Sequence, residues 1–76
     1  MKVTLFRNNR AVDISAEQIV HTEEGKERSP ERDYPYTNIT IYDEKDDSTY
    51  IVQVVESKSY IDKTAKKERE EHEQGS

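Results

Sequence analysis

Apolar and polar positions alternate most cleanly over residues 36–42. Ile39 and Ile41 fall on one side there, and Tyr36, Asn38, Thr40 and Tyr42 on the other. A period of two residues is that of a half-buried β-strand. The run over residues 48–56 is apolar on both sides, with Tyr50, Val52 and Val54 on one and Ile51 and Val55 on the other around Gln53. The two runs, joined by Asp43, Glu44, Lys45, Asp46 and Asp47, predict an antiparallel hairpin whose second strand needs cover on both faces. The N-terminal segment, residues 57–63 or a second copy of the chain would supply that cover. A homodimer is therefore expected, with Tyr50, Ile51, Val52, Val54 and Val55 as its core and contact residues.

Shorter signals flank the hairpin. Lys2 to Phe6 reads as a first strand, and Arg7, Asn8, Asn9 and Arg10 are turn residues, the asparagines tolerating left-handed backbone. Val12 and Ile14 alternate with Asp13 as a returning strand. Ser15 and Gln18 have the spacing of a capping box, but the β-branched pair Ile19-Val20 favours a strand over residues 17–23, with a single helical turn as the alternative. Residues 25–35 contain one Gly, two Pro and six charges and are expected to form the longest loop of the core. Beyond Ile61 apolar residues almost disappear, so residues 62–76 are expected to be a charged tail, disordered or a fraying helix. The fold class expected is mainly β, or α+β with one short helix. It comprises a small antiparallel sheet of three to four strands over residues 1–61, followed by the tail.

Twelve aliphatic residues are Val or Ile and one, Leu5, is Leu, which supports the β reading. A chain of 76 residues makes one small domain, and such a domain buries only about 60% of the surface of its unfolded chain. There is no cysteine to staple it with disulfides or thiolate-bound zinc. The first ten residues hold too short an apolar stretch for a signal-peptide core or a membrane span. A cytoplasmic location is the expectation, and Asn38-Ile39-Thr40 then reads as strand sequence and not as a glycosylation site.

Charge changes the picture most. Residues 13–56 carry twelve carboxylates against four basic side chains, while residues 1–12 carry three bases and no acid, and residues 58–76 balance five acids with five bases. The net charge of −5 therefore divides into about +3, −8 and 0 along the chain. A negative surface on a folded scaffold repels nucleic acid and attracts basic surfaces, including the DNA-binding faces of other proteins. The candidate partner-binding residues are Asp13, Glu17, Glu23, Glu24, Glu31, Asp33, Asp43, Glu44, Asp46 and Asp47. In extended backbone, residues two apart lie about 6.6–6.8 Å from each other, close to the phosphate spacing of one DNA strand. Glu31 and Asp33 have that separation in sequence, as do alternate members of the 43–47 cluster.

Other chemistry is weakly represented. His21 and His72 lie far apart in sequence and nothing places a nucleophile beside either. The 43–47 cluster lacks the spacing, the glycine and the distal glutamate of a calcium loop. Gly25 and Gly75 make no phosphate-cradling loop. Tyr34, Tyr36, Tyr42, Tyr50 and Tyr60 are not interleaved with Lys and Arg as base-stacking residues would be; beside acids they suit a protein interface. No catalytic residue, cofactor or metal is expected.

In size, charge and β-character the chain resembles the small acidic host-takeover proteins of bacteriophages. Within that group it is similar to the DNA-mimic inhibitors of nucleoid proteins such as HU. The resemblance implies a dimer whose acidic face competes with DNA for a basic protein of the host cytoplasm, with no direct binding to nucleic acid or membrane. The basic N-terminal strand and the charge-balanced tail depart from that pattern. Two further readings stand beside it: an anti-defence inhibitor of the anti-CRISPR type, aimed at a nucleic-acid-binding complex, and a non-catalytic regulatory dimerisation module whose acids only solubilise it.

Overall fold

The computed structural model describes residues 1–74, with side chains described through residue 70. In chain order the elements are β1 (Lys2–Thr4), β2 (Ala11–Asp13), a 3₁₀ turn (Ala16–Gln18), β3 (Ile19–Arg28), β4 (Asp33–Asp43), β5 (Ser48–Val54) and α1 (Lys58–Gln74). The protein is mainly β. Strands β3, β4 and β5 form an antiparallel sheet with β4 at its centre, and β1 pairs with β2 in a separate antiparallel hairpin. A bridge from Leu5 to Val54 and two backbone bonds, Phe6 N–H to Gln53 O and Val55 N–H to Thr4 O at 2.9 Å each, stitch the hairpin to the end of β5.

The alternation read in residues 36–42 sets the layers. Thr37, Ile39 and Ile41 of β4 are buried on the inner face, where their register partners on β5 are Val54, Val52 and Tyr50. Val3, Ala16, Ile19, Ile39, Ile41, Val54, Ile61 and Ala65 make the core, with Met1, Val12, Ile14 and Val52 packed around it. Cover for this side of β5 comes from the chain's own N-terminal hairpin and helix. Asn9, at φ 55°, takes the left-handed conformation expected of the first turn.

Two expectations need correction. Residues 25–35 do not form a long loop: β3 and β4 pair from Ile19 to Arg28 and from Asp33 to Ile41, so the connection shrinks to residues 29–32. Because β5 reaches only Thr37, residues 25–28 and 33–36 project as a two-stranded arm. Pro35 sits in that arm, where β4 has one neighbour and a residue lacking N–H is tolerated. Gly25 lies opposite Tyr36, and a methyl group there would come within 2.5 Å of the tyrosine ring. Its role is to make room.

The second correction concerns the C-terminal segment. A boundary between residues 61 and 62 falls inside α1, whose Ile61 and Ala65 are 0% and 5% exposed. Of the two forms expected for the tail, the helix is present, and it docks on the sheet. Residues 75 and 76 of the expected tail lie outside the described residues. Ser57 caps the helix by accepting the Tyr60 N–H at 3.2 Å. Where a third apolar anchor would be needed, Arg69 reaches back instead. Its Nε and Nη2 donate to the Ala16 carbonyl at 3.2 and 2.9 Å, and Nη2 also donates to the Ile19 carbonyl at 2.8 Å. Residues 17–23, expected as one strand, divide between the 3₁₀ turn and β3, so the single helical turn and the strand are both present.

Candidate functional site

The β4–β5 connection gathers the densest charge. Asp43 ends β4, Ser48 begins β5 opposite it, and Glu44, Lys45, Asp46 and Asp47 fill the turn between them. Asp43 Oδ1 accepts the Lys45 backbone N–H at 3.0 Å, fixing the entry to the turn. Asp47 closes it in the left-handed region at φ 50°, and its carboxylate accepts the Tyr42 hydroxyl. That hydrogen bond, followed by burial and the charges of Glu44 and Asp43, raises the Tyr42 pKa above its ordinary value. Among the described residues no ion pair neutralises Asp43, Glu44, Asp46 or Asp47. Glu17, in the 3₁₀ turn, lies toward the same end, since Ile19 pairs with Ile41 two residues before Asp43.

The remaining candidate carboxylates do not join this cluster. Glu31 and Asp33 sit at the tip of the arm, ten residues of extended β4 away from Asp43, which is about 33 Å. The tip is mixed in sign, with Lys26 paired to Asp33 at 3.8 Å and the Arg32 guanidinium 4.8 Å from the centre of the Tyr34 ring. Glu23 and Glu24 are neighbours on β3 and point to opposite faces of the sheet. Asp13 is engaged with the Met1 amino group at 3.0 Å, which also meets Glu68 at 3.2 Å. The Asp13 hydrogen bond is the main reason that amine's pKa is raised, burial opposing it. The strand spacing of 6.6–6.8 Å expected of the acid pairs does not apply, because residues 44–47 form a turn and Glu31 lies in the irregular connection before β4. Convergence is therefore partial: four carboxylates on one turn, two at the far end of β4, and the others apart.

Two other acids are structural. The Glu56 carboxylate accepts the Thr4 N–H at 2.8 and 3.1 Å, and the buried Thr37 hydroxyl donates to the Glu56 carbonyl at 2.7 Å. Asp62 accepts from Lys58 Nζ and from the Thr22 hydroxyl, each at 2.8 Å. The Lys58 hydrogen bond, aided by Thr22 and opposed by burial, lowers the Asp62 pKa. Neither residue stands out in sequence from the carboxylates on the surface.

The residues expected as core and dimer contacts separate by face. Val54 and Val52 belong to the core and its margin, while Tyr50, Ile51 and Val55 are 50%, 65% and 44% exposed. Ile51 lies on the outer face of the sheet and Val55 just beyond the end of β5, while Phe6 from the first turn packs on Tyr36 of that face. His21 is exposed on β3 opposite Thr40; the His72 side chain lies outside the described residues. Among the described residues no group of three or more His, Asp or Glu side chains is arranged to hold a metal ion. Nor is any described helix long and apolar enough to cross a membrane. No protein-family model, curated protein or solved structure matches the chain.

Proposed function

We propose that the protein is an inhibitor that sets its acidic β4–β5 turn against the basic DNA-binding surface of another protein and excludes DNA from it. The observation that carries this reading is the cluster of Asp43, Glu44, Asp46 and Asp47, a local excess of carboxylate with no salt-bridge partner among the described residues. Lysines and arginines that normally contact phosphates would pair with these groups, speeding association and making it fall with salt. The acids at the arm tip lie about 33 Å along β4, a separation near one turn of B-DNA, about 34 Å. Two copies joined through the exposed apolar residues Ile51 and Val55 would double the acidic surface, which favours a homodimer as the working form.

The test is displacement of a labelled DNA duplex from an HU-like nucleoid protein, followed by fluorescence anisotropy. Addition of the chain should release the duplex at low salt, with the effect fading as salt rises. Glu44→Lys with Asp46→Lys should abolish release while leaving the circular dichroism spectrum unchanged. Asp47 is left intact because its left-handed backbone and its bond to Tyr42 give it a structural part. Release that persists in the double variant would overturn the reading.

A further inference from the structure

Folding assembles a second charged surface of opposite sign at the root of the arm. Phe6 and Arg7 from the first turn, Lys26, Glu27 and Arg28 from β3, Tyr36 from β4 and Gln53 from β5 line one open cleft of about 690 Å³. Its cations come from segments some twenty residues apart in sequence, and they outnumber its one carboxylate three to one in a chain of net charge −5. Lys26 has a long contact with Asp33 at 3.8 Å, and no ion pair engages Arg7 or Arg28 among the described residues. The aromatic floor is prearranged. The Phe6 and Tyr36 ring centres lie 5.1 Å apart with a tilt of 47°, and Gly25 leaves the space into which the Tyr36 ring settles.

We propose that this cleft binds a nucleoside phosphate, with a planar base against Tyr36 and Phe6 and a phosphate among Arg7, Lys26 and Arg28. Aromatic side chains stack on the faces of bases, and guanidinium groups pair with phosphate oxygens in a bidentate fork. Gln53 supplies an amide at the wall for the edge of the base or the sugar. The volume is in the range of small-ligand sites, about 300–1,000 Å³. In sequence Tyr36 stands apart from Lys and Arg, but strand pairing carries it in among three cations. The site stands independently of the acidic turn, because it shares no residue with it.

Two sources offer this chemistry, a free mononucleotide and the 5′-phosphorylated end of a single strand, and titration distinguishes them. The full chain, isotopically labelled, is titrated by NMR with AMP, adenosine, inorganic phosphate and a short 5′-phosphorylated oligonucleotide. AMP should shift the backbone amides of Phe6, Arg7, Lys26, Arg28, Tyr36 and Gln53, with adenosine and phosphate each at least about ten-fold weaker. An oligonucleotide that binds more tightly than AMP identifies the strand end as occupant, and equal affinity identifies the nucleotide. Arg7→Gln with Arg28→Gln should weaken AMP about ten-fold or more while leaving the spectrum outside the cleft in place. Tyr36→Leu should weaken AMP and spare phosphate. Shifts that scatter over the surface, an unchanged affinity in the double arginine variant, or no response to AMP would overturn the proposal.

Discussion

Arg69→Ala tests whether the charged C-terminal helix belongs to the folded unit. The guanidinium donates to two backbone carbonyls, Ala16 at 2.9 and 3.2 Å and Ile19 at 2.8 Å, both at the junction of the 3₁₀ turn with β3. A hydrogen bond to a charged group contributes roughly 1.5–3 kcal/mol when sheltered. Arg69 is partly open to water, so about 1 kcal/mol for each carbonyl is the fitting allowance, or about 2 kcal/mol in all. For a domain of this size each kcal/mol moves the melting temperature by roughly 4–8 °C, so a drop of about 8–16 °C is expected. Urea unfolding followed by the helical circular dichroism signal measures the change. Lys63→Ala, on an exposed position of the same helix, supplies the control and should move stability by less than about 0.5 kcal/mol. If the two variants unfold together, the helix is not held by Arg69 and its docking would need another account.

Three further outcomes are expected. Thr37→Val removes the buried hydroxyl that donates to the Glu56 carbonyl at 2.7 Å and should destabilise by about 1–2 kcal/mol in urea unfolding. Gly25→Ala should swing the Tyr36 ring off Phe6, read as loss of the near-UV circular dichroism of the pair, at a cost of about 1 kcal/mol. Asp62 titrates below its ordinary value in the folded chain, chiefly through its bond to Lys58. Its ionised form therefore contributes stability that is present above the unfolded pKa and is lost as pH falls through the folded one. The gap in urea midpoint between wild type and Asp62→Asn should be steady near neutrality and close on acidification below about pH 4.

The central hairpin was legible because β4 carries its own period: Thr37, Ile39 and Ile41 face the core and every second residue between them does not. The double-sided β5 was legible as well, and half of its need is met internally, by the N-terminal hairpin and α1 over Val52 and Val54. The arm was hidden because Gly25, Pro35 and a run of charges are ordinary loop composition. What makes them a strand pair is the fit of Tyr36 over Gly25 and the absence of a second neighbour at Pro35, and neither is visible until the register is known. The helix was among the expected forms of the tail, but its docking was hidden for a different reason. Two apolar residues, Ile61 and Ala65, are too few to signal docking, and the rest of the anchorage is polar: Asp62 to Thr22, Glu68 to the Met1 amino group, and the Arg69 guanidinium on carbonyls fifty residues earlier. The acids of the β4–β5 turn were named from sequence. Their separation from Glu31 and Asp33 follows from the length of β4, and the grouping of Arg7, Lys26 and Arg28 follows from pairings between distant segments.

The bridge between Leu5 and Val54, with the Glu56 carboxylate closing over the Thr4 N–H, also sets a timetable. The pairing of β1 with β2 is local and can form within microseconds, as short hairpins do. The inner face of this hairpin, however, has nothing to rest on until a segment about fifty residues downstream has been placed, and contacts of such long sequence separation are the slow ones in folding. During synthesis the N-terminal residues would leave the ribosome with Val3 and Leu5 uncovered. They would reach their place only when the last strand and the helix had followed them out. The hairpin, made before β5 and α1, is thus locked only after them.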